Sequence, residues 1–220
     1  MTIAGFVLWL FVSVFLANAF LRLPPWRIIP VSLPFIGLET QIAFPGIEGW
    51  EIMIGGIGLI VWLWIFSYEW HELGFQRMRK KSLKATLGLS CLALLFPALK
   101  FYQAWNILPS GVGLKIVFGF MILTAPLALI VALIEEIEFR GILFSAVHFL
   151  PSWSRVPITS LLFGAFHIPS YGFTYGLYTM WMGLLLGAIR QQSQSIYPSI
   201  ILHFIVDVLV LWTVIFGFGA

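Results

Sequence analysis

Charge is what this chain has least of. Its 220 residues hold twelve Lys and Arg and nine Asp and Glu, so that 10% are charged, against about 25% in a soluble domain. So few charges cannot wet a globule of this length, and a water-soluble fold is excluded. Aspartate occurs once, at Asp207, and cysteine once, at Cys91. A single cysteine excludes a disulfide framework and a thiolate metal cluster. In its apolar run Cys91 is expected to be a small buried hydrophobe. Internal repeats, low-complexity tracts and linkers are missing as well, so one domain is expected. The N-terminal apolar stretch lacks a basic leader and a small-residue cleavage site, and is expected to be a retained helix rather than a signal peptide.

What is present is apolar. Hydrophobic residues make up 60% of the chain, with 10 Trp and 21 Phe, and the mean hydropathy is +1.00. The fold class expected is all-α, a polytopic transmembrane bundle. The net charge of +3 does not point to nucleic acid, because five of the twelve basic residues crowd into positions 77 to 84. Such a cluster reads as a cytoplasmic loop between spans, which places the 69–84 loop in the cytoplasm.

A span needs about 20 apolar residues. Clear candidates are 3–21, 51–67, 85–107 and 196–217, with shorter ones at 156–169 and 173–189. The proline-rich stretch 28–47 is a weak span, and counting it gives about eight helices. Residues 116–150 form either one long crossing kinked near Pro126 or two spans turning at 135–140. A single crossing keeps Arg155 and Arg190 on the same side as the 77–84 cluster, and the positive-inside tendency favours it. Residues 1–115 are expected to be N-terminal transmembrane helices of unassigned role, and 116–217 a catalytic helical core, within one structural unit.

From Ile116 onward only seven charges remain, and four of them stand in the window Glu135-Glu136-Ile137-Glu138-Phe139-Arg140. An ionisable group inside a span costs a few kcal/mol and marks function by default. Glu136 and Arg140 share a helical face and can pair; Glu135, about 100° round the helix, is left to face something else. A second polar island ends in His167, and a third holds His203 and Asp207, four apart on one face, where a carboxylate can orient the imidazole. Counted from the basic side, His167, His203 and Glu135 lie roughly 17, 12 and 22 Å deep. Three helices thus bring a carboxylate and two imidazoles toward similar depth. His71 is expected to be a solvated loop residue and His148 structural. Lys100 is expected to snorkel or to pair, and Gly183 and Gly187 to mark close helix packing. Glu39 and Glu138 are unassigned.

Taken in order, Glu135-Glu136 to Arg140, Phe163 to His167 and His203 to Asp207 resemble the signature of the CAAX protease and bacteriocin-processing (CPBP) family of intramembrane endopeptidases, which includes the type II CAAX prenyl endopeptidases. The resemblance covers residues 116 to 217. It implies peptide-bond hydrolysis in the membrane without a nucleophilic side chain. Glu135 would activate water, His167 would share that water, and His203 with Asp207 would face the oxyanion. Glu136 and Arg140 would hold the motif in shape. Asp207 stands where the prenyl endopeptidases have Asn; an ionised carboxylate cannot donate a hydrogen bond. The cofactor stays open between Zn²⁺ on Glu135, His167 and His203 and a metal-free glutamate mechanism, with the metal-free form preferred. The partners implied are membrane lipid and a membrane-bound or lipidated peptide. Two other classes compete: a proton-coupled transporter, because buried Glu and His also build proton relays, and a non-catalytic scaffold.

Overall fold

The computed structural model describes residues 70–106 and 114–215. The spans expected at 3–21, 28–47 and 51–67, and Glu39, lie outside them. Among the described residues every regular element is helical and no strand occurs. A 3-10 turn over Lys80–Ser82 leads into α1 (Leu83–Asn106). Helix α2 (Leu114–Glu136) continues without a break through a π-helical segment (Ile137–Leu143) into the short α3 (Phe144–Ala146). Then follow α4 (Ser152–Tyr171), α5 (Phe173–Ser193) and α6 (Tyr197–Ile215).

Two of these runs, Lys80–Asn106 and Lys115–Ala146, are long and apolar enough to cross a membrane. The second measures about 48 Å at 1.5 Å per residue. It excludes a turn at 135–140, because that window is helical throughout and only widens to the π form. The outward faces are apolar, with Ile122 and Leu123 at 73% and 77% exposure. Cys91 corrects the sequence-based expectation, since it is exposed rather than buried. Helix α1 has apolar residues around its whole circumference, so a hydrophobic neighbourhood in sequence does not tell which side faces inward.

Helices α4 and α5 form an antiparallel pair joined at Gly172, whose φ of +84° suits the tight reversal. Their seam is built on glycine. A Cβ at Gly183 would lie 3.1 Å from Ser160 Cα, and one at Gly187 would lie 3.0 Å from Val156 Cγ1. The close packing expected there is what the fold contains. Two further glycines complete the seam. A Cβ at Gly164 would meet the Gly176 carbonyl at 2.6 Å, and one at Gly176 would meet Ile168 Cγ1 at 2.3 Å.

On the other side of α5, Met182, Leu185, Leu186 and Ile189 bury against Ala93 of α1 and Leu202 and Val206 of α6. Helix α1 is therefore packed into the same core as the C-terminal helices. Beneath the π segment, Leu73 inserts fully into a cluster with Ile137, Phe139, Ile142, Phe163 and Phe166.

The segment around Leu73 is stitched down by its backbone. Gly74 has φ +92°, and its carbonyl accepts from Ile196 N at 2.9 Å and Gln76 N at 2.8 Å. Ser145 Oγ donates to the Glu72 carbonyl at 2.8 Å, and Arg79 N donates to the Ser193 carbonyl at 3.2 Å. The basic residues that follow, Arg77, Arg79, Lys80, Lys81 and Lys84, are exposed.

Candidate active site

The site is assembled on the end of α2 and its π segment, a helix form that recurs at functional positions. Glu136 and Arg140 pair as their spacing implies, Oε1 to Nη1 at 2.9 Å, with both side chains at most 1% exposed. The Arg140 guanidinium lies over the Phe163 ring, 4.2 Å from its centroid, and Nη2 donates to the Gly183 carbonyl at 3.4 Å. One cation thereby ties the π segment to both α4 and α5.

Glu136 Oε1 also takes the Nδ1 hydrogen of His203, at 2.9 Å. That bond places the proton on Nδ1 and turns Nε2 toward Asp207 Oδ1 at 3.5 Å and Glu135 Oε2 at 3.6 Å. Two carboxyl groups facing one ring nitrogen require a proton on that nitrogen or on one of the acids. His167 is tied back by a different device. Its Nδ1 donates to the Phe163 carbonyl one turn earlier, at 2.8 Å. A carbonyl only accepts, so the neutral ring carries its hydrogen on Nδ1 and leaves Nε2 as an acceptor. That Nε2 is 3.9 Å from Glu135 Oε2. Both imidazoles therefore turn Nε2 toward one oxygen of Glu135, on a carboxylate that is 5% exposed.

All six expected site residues, Glu135, Glu136, Arg140, His167, His203 and Asp207, come together here. Asp207, with its side chain 24% exposed, is the least buried of them. Glu138, 9% exposed, makes no hydrogen bond or ion pair among the described residues, and nothing in the structure explains it. His71 and His148 are exposed, and His148 Nδ1 contacts the Ser145 carbonyl at 3.0 Å. The Lys100 ammonium lies over Phe96, 5.7 Å from its centroid.

Sequence reasoning missed two features. Tyr171 and Tyr175 hold their rings 6.1 and 6.0 Å from His167, and the aromatic line runs on through Tyr178 to Phe96 of α1. Tyrosines at i, i+4 and i+7 were the available signal, one helical stripe leading to the second motif. Arg190, expected to mark the basic membrane surface, is instead 7% exposed. Its Nε donates to the Arg140 carbonyl at 3.2 Å, and its guanidinium lies where a Cβ on Gly74 would be, at 2.5 Å. Gly74 thus clears the space from which Arg190 clamps the π backbone.

No group of three or more His, Cys, Asp and Glu among the described residues is arranged to hold a metal ion. The chemistry below therefore contains no metal step.

Residues 118–209 match the family model described as Type II CAAX prenyl endopeptidase Rce1-like. The matched stretch contains all six site residues and corresponds to the family that the three motifs resemble. No curated protein and no solved structure matches the chain.

Proposed function

We propose that this chain is an intramembrane endopeptidase that hydrolyses a peptide bond in a membrane-bound or lipid-modified, CAAX-like peptide, using a water activated by Glu135. The observation that supports it most is the convergence of His167 Nε2 and His203 Nε2 on Glu135 Oε2, at 3.9 and 3.6 Å. These separations are too long for direct hydrogen bonds and short enough for one water to touch both partners. The Rce1-like match supports the reaction class.

In this scheme Glu135 takes a proton from water as its oxygen attacks the scissile carbonyl carbon. His167 Nε2, held as an acceptor, fixes the second hydrogen of that water. With a proton on Nε2, His203 donates to the developing oxyanion, the kind of preorganised donor that stabilises such a charge. Asp207 accepts from the same Nε2 and orients it, which reconciles a carboxylate with this position. Glu135 then returns its proton to the amine nitrogen as the C–N bond breaks. Glu136 and Arg140 touch no reacting atom; they hold His203 and the π segment. The line of tyrosines beside His167 supplies an apolar wall for a lipidated substrate. The catalytic unit in this scheme is residues 116–217, in a multi-pass protein with its 69–84 loop in the cytoplasm.

The test is cleavage of a farnesylated membrane peptide by the purified full chain in lipid nanodiscs, with products identified by mass spectrometry. Glu135→Gln keeps the shape and removes the base, so cleavage should fall about 10³-fold at an unchanged melting temperature. Wild-type cleavage that survives Glu135→Gln, or no cleavage of farnesylated or unmodified membrane peptides by the wild type, overturns the proposal.

A further inference from the structure

A second site lies away from the catalytic carboxylates, in a cleft of about 620 Å³ between α1, α4 and α5. That volume is in the range of small-molecule sites. Its walls change character along its length. The floor is apolar, with Leu89, Val156 and Leu184, and the opposite end carries Gln191, Gln192 and Trp153. That polar end is where three helices terminate together, α1 and α4 at their starts and α5 at its finish. Trp153 is 77% exposed there, and an indole in that position suits headgroup depth.

Two observations give the occupant its chemistry. Lys81 precedes Ala85 by four residues and Leu89 by eight, so it extends the stripe of α1 that lines the cleft, and it is exposed among Lys80 and Lys84. A cation at the mouth of an apolar cleft complements a lipid phosphate. Gln191 Oε1 is buried and has no hydrogen-bond partner. A lone acceptor of this kind calls for a donor, which a zwitterionic choline headgroup lacks and a headgroup with hydroxyls supplies.

We propose that this cleft binds an anionic phospholipid with a hydroxylated headgroup, such as phosphatidylglycerol. One acyl chain lies along Leu89, Val156 and Leu184, the phosphate sits at Lys81, and a headgroup hydroxyl donates to Gln191 Oε1. The site shares no residue with the catalytic cluster, so the assignment stands or falls independently of the protease reading.

The probes are phosphatidylglycerol and phosphatidylcholine of matched acyl chains, offered to the purified full chain in detergent micelles. Native mass spectrometry then reads the lipid retained. The expected result is one retained phosphatidylglycerol, held about five-fold more tightly than phosphatidylcholine. Lys81→Gln should remove that preference, and Ala188→Trp, which fills the cleft, should remove the retained lipid of either kind. Lys81 is exposed and outside the core, so its variant reads binding even if Ala188→Trp fails to fold. Equal retention of the two lipids by the wild type, or an undiminished preference in Lys81→Gln, overturns the proposal.

Discussion

Replacing Glu136 by Gln asks how much of this protein rests on one buried charge. Glu136 is 0% and Arg140 1% exposed. The glutamine keeps the shape and an acceptor oxygen for His203 but cancels the negative charge. Arg140 is then left with the Gly183 carbonyl and the Phe163 face as its remaining company. Breaking a buried pair from one side costs about 3–5 kcal/mol, because the surviving charge stays desolvated. At roughly 3 °C per kcal/mol for a chain of this size, the melting temperature should fall by about 10 °C. Arg140→Gln strands Glu136 in the same way, apart from its bond to His203, and should cost a similar amount. The double variant strands neither charge, so its cost should be smaller than the sum of the two by about 2–3 kcal/mol. The assay is unfolding of the wild type, both single variants and the double variant in one detergent. Additive losses would refute the reasoning, because they would mean that neither charge depends on the other for its burial.

Gly74→Ala should act at a distance, because its Cβ would lie 2.5 Å from the Arg190 guanidinium at a backbone φ of +92°. The left-handed conformation costs about 1–2 kcal/mol and loss of the Arg190 bond about 1.5–3 kcal/mol. Stability and kcat should therefore drop with little change in KM, and adding Arg190→Ala should do little further harm; equal damage from the second change would refute the clamp. Asp207→Asn retains an oxygen that accepts from His203 Nε2, so cleavage should stay within about tenfold of wild type, whereas Asp207→Leu should lose about 10²-fold. Equal rates for the two variants would show that Asp207 does not orient His203.

How far the site could be read from sequence differs residue by residue. Glu136 with Arg140, and His203 with Asp207, are pairs four residues apart on single helices, and helix geometry alone brings them together. That Glu135 faces away from Glu136 follows from the same geometry. The clamp is different. Arg190 and Gly74 are far apart in the chain, and no local pattern distinguishes an arginine at a membrane surface from one buried against a backbone carbonyl. Nor could sequence separate one crossing from two in residues 116–150, because a glutamate-rich window fits a turn at the interface as well as a π segment. The exposure of Cys91 was equally hidden, since hydrophobic periodicity does not orient a helix that is apolar on every face.

The sequence by itself determined the helical class, through its shortage of charge, and named the six side chains of the site, because ionisable groups are costly in apolar runs and so stand out. It also fixed which residues pair within a helix. Only the tertiary structure decided which atoms meet between helices. The Glu136 carboxylate takes the Nδ1 hydrogen of His203 from α6, and the Phe163 carbonyl takes that of His167 on α4. Both Nε2 atoms are thereby turned toward Glu135. Such choices depend on how helices cross and which glycines let them approach, and the periodicity of any single helix does not contain that information.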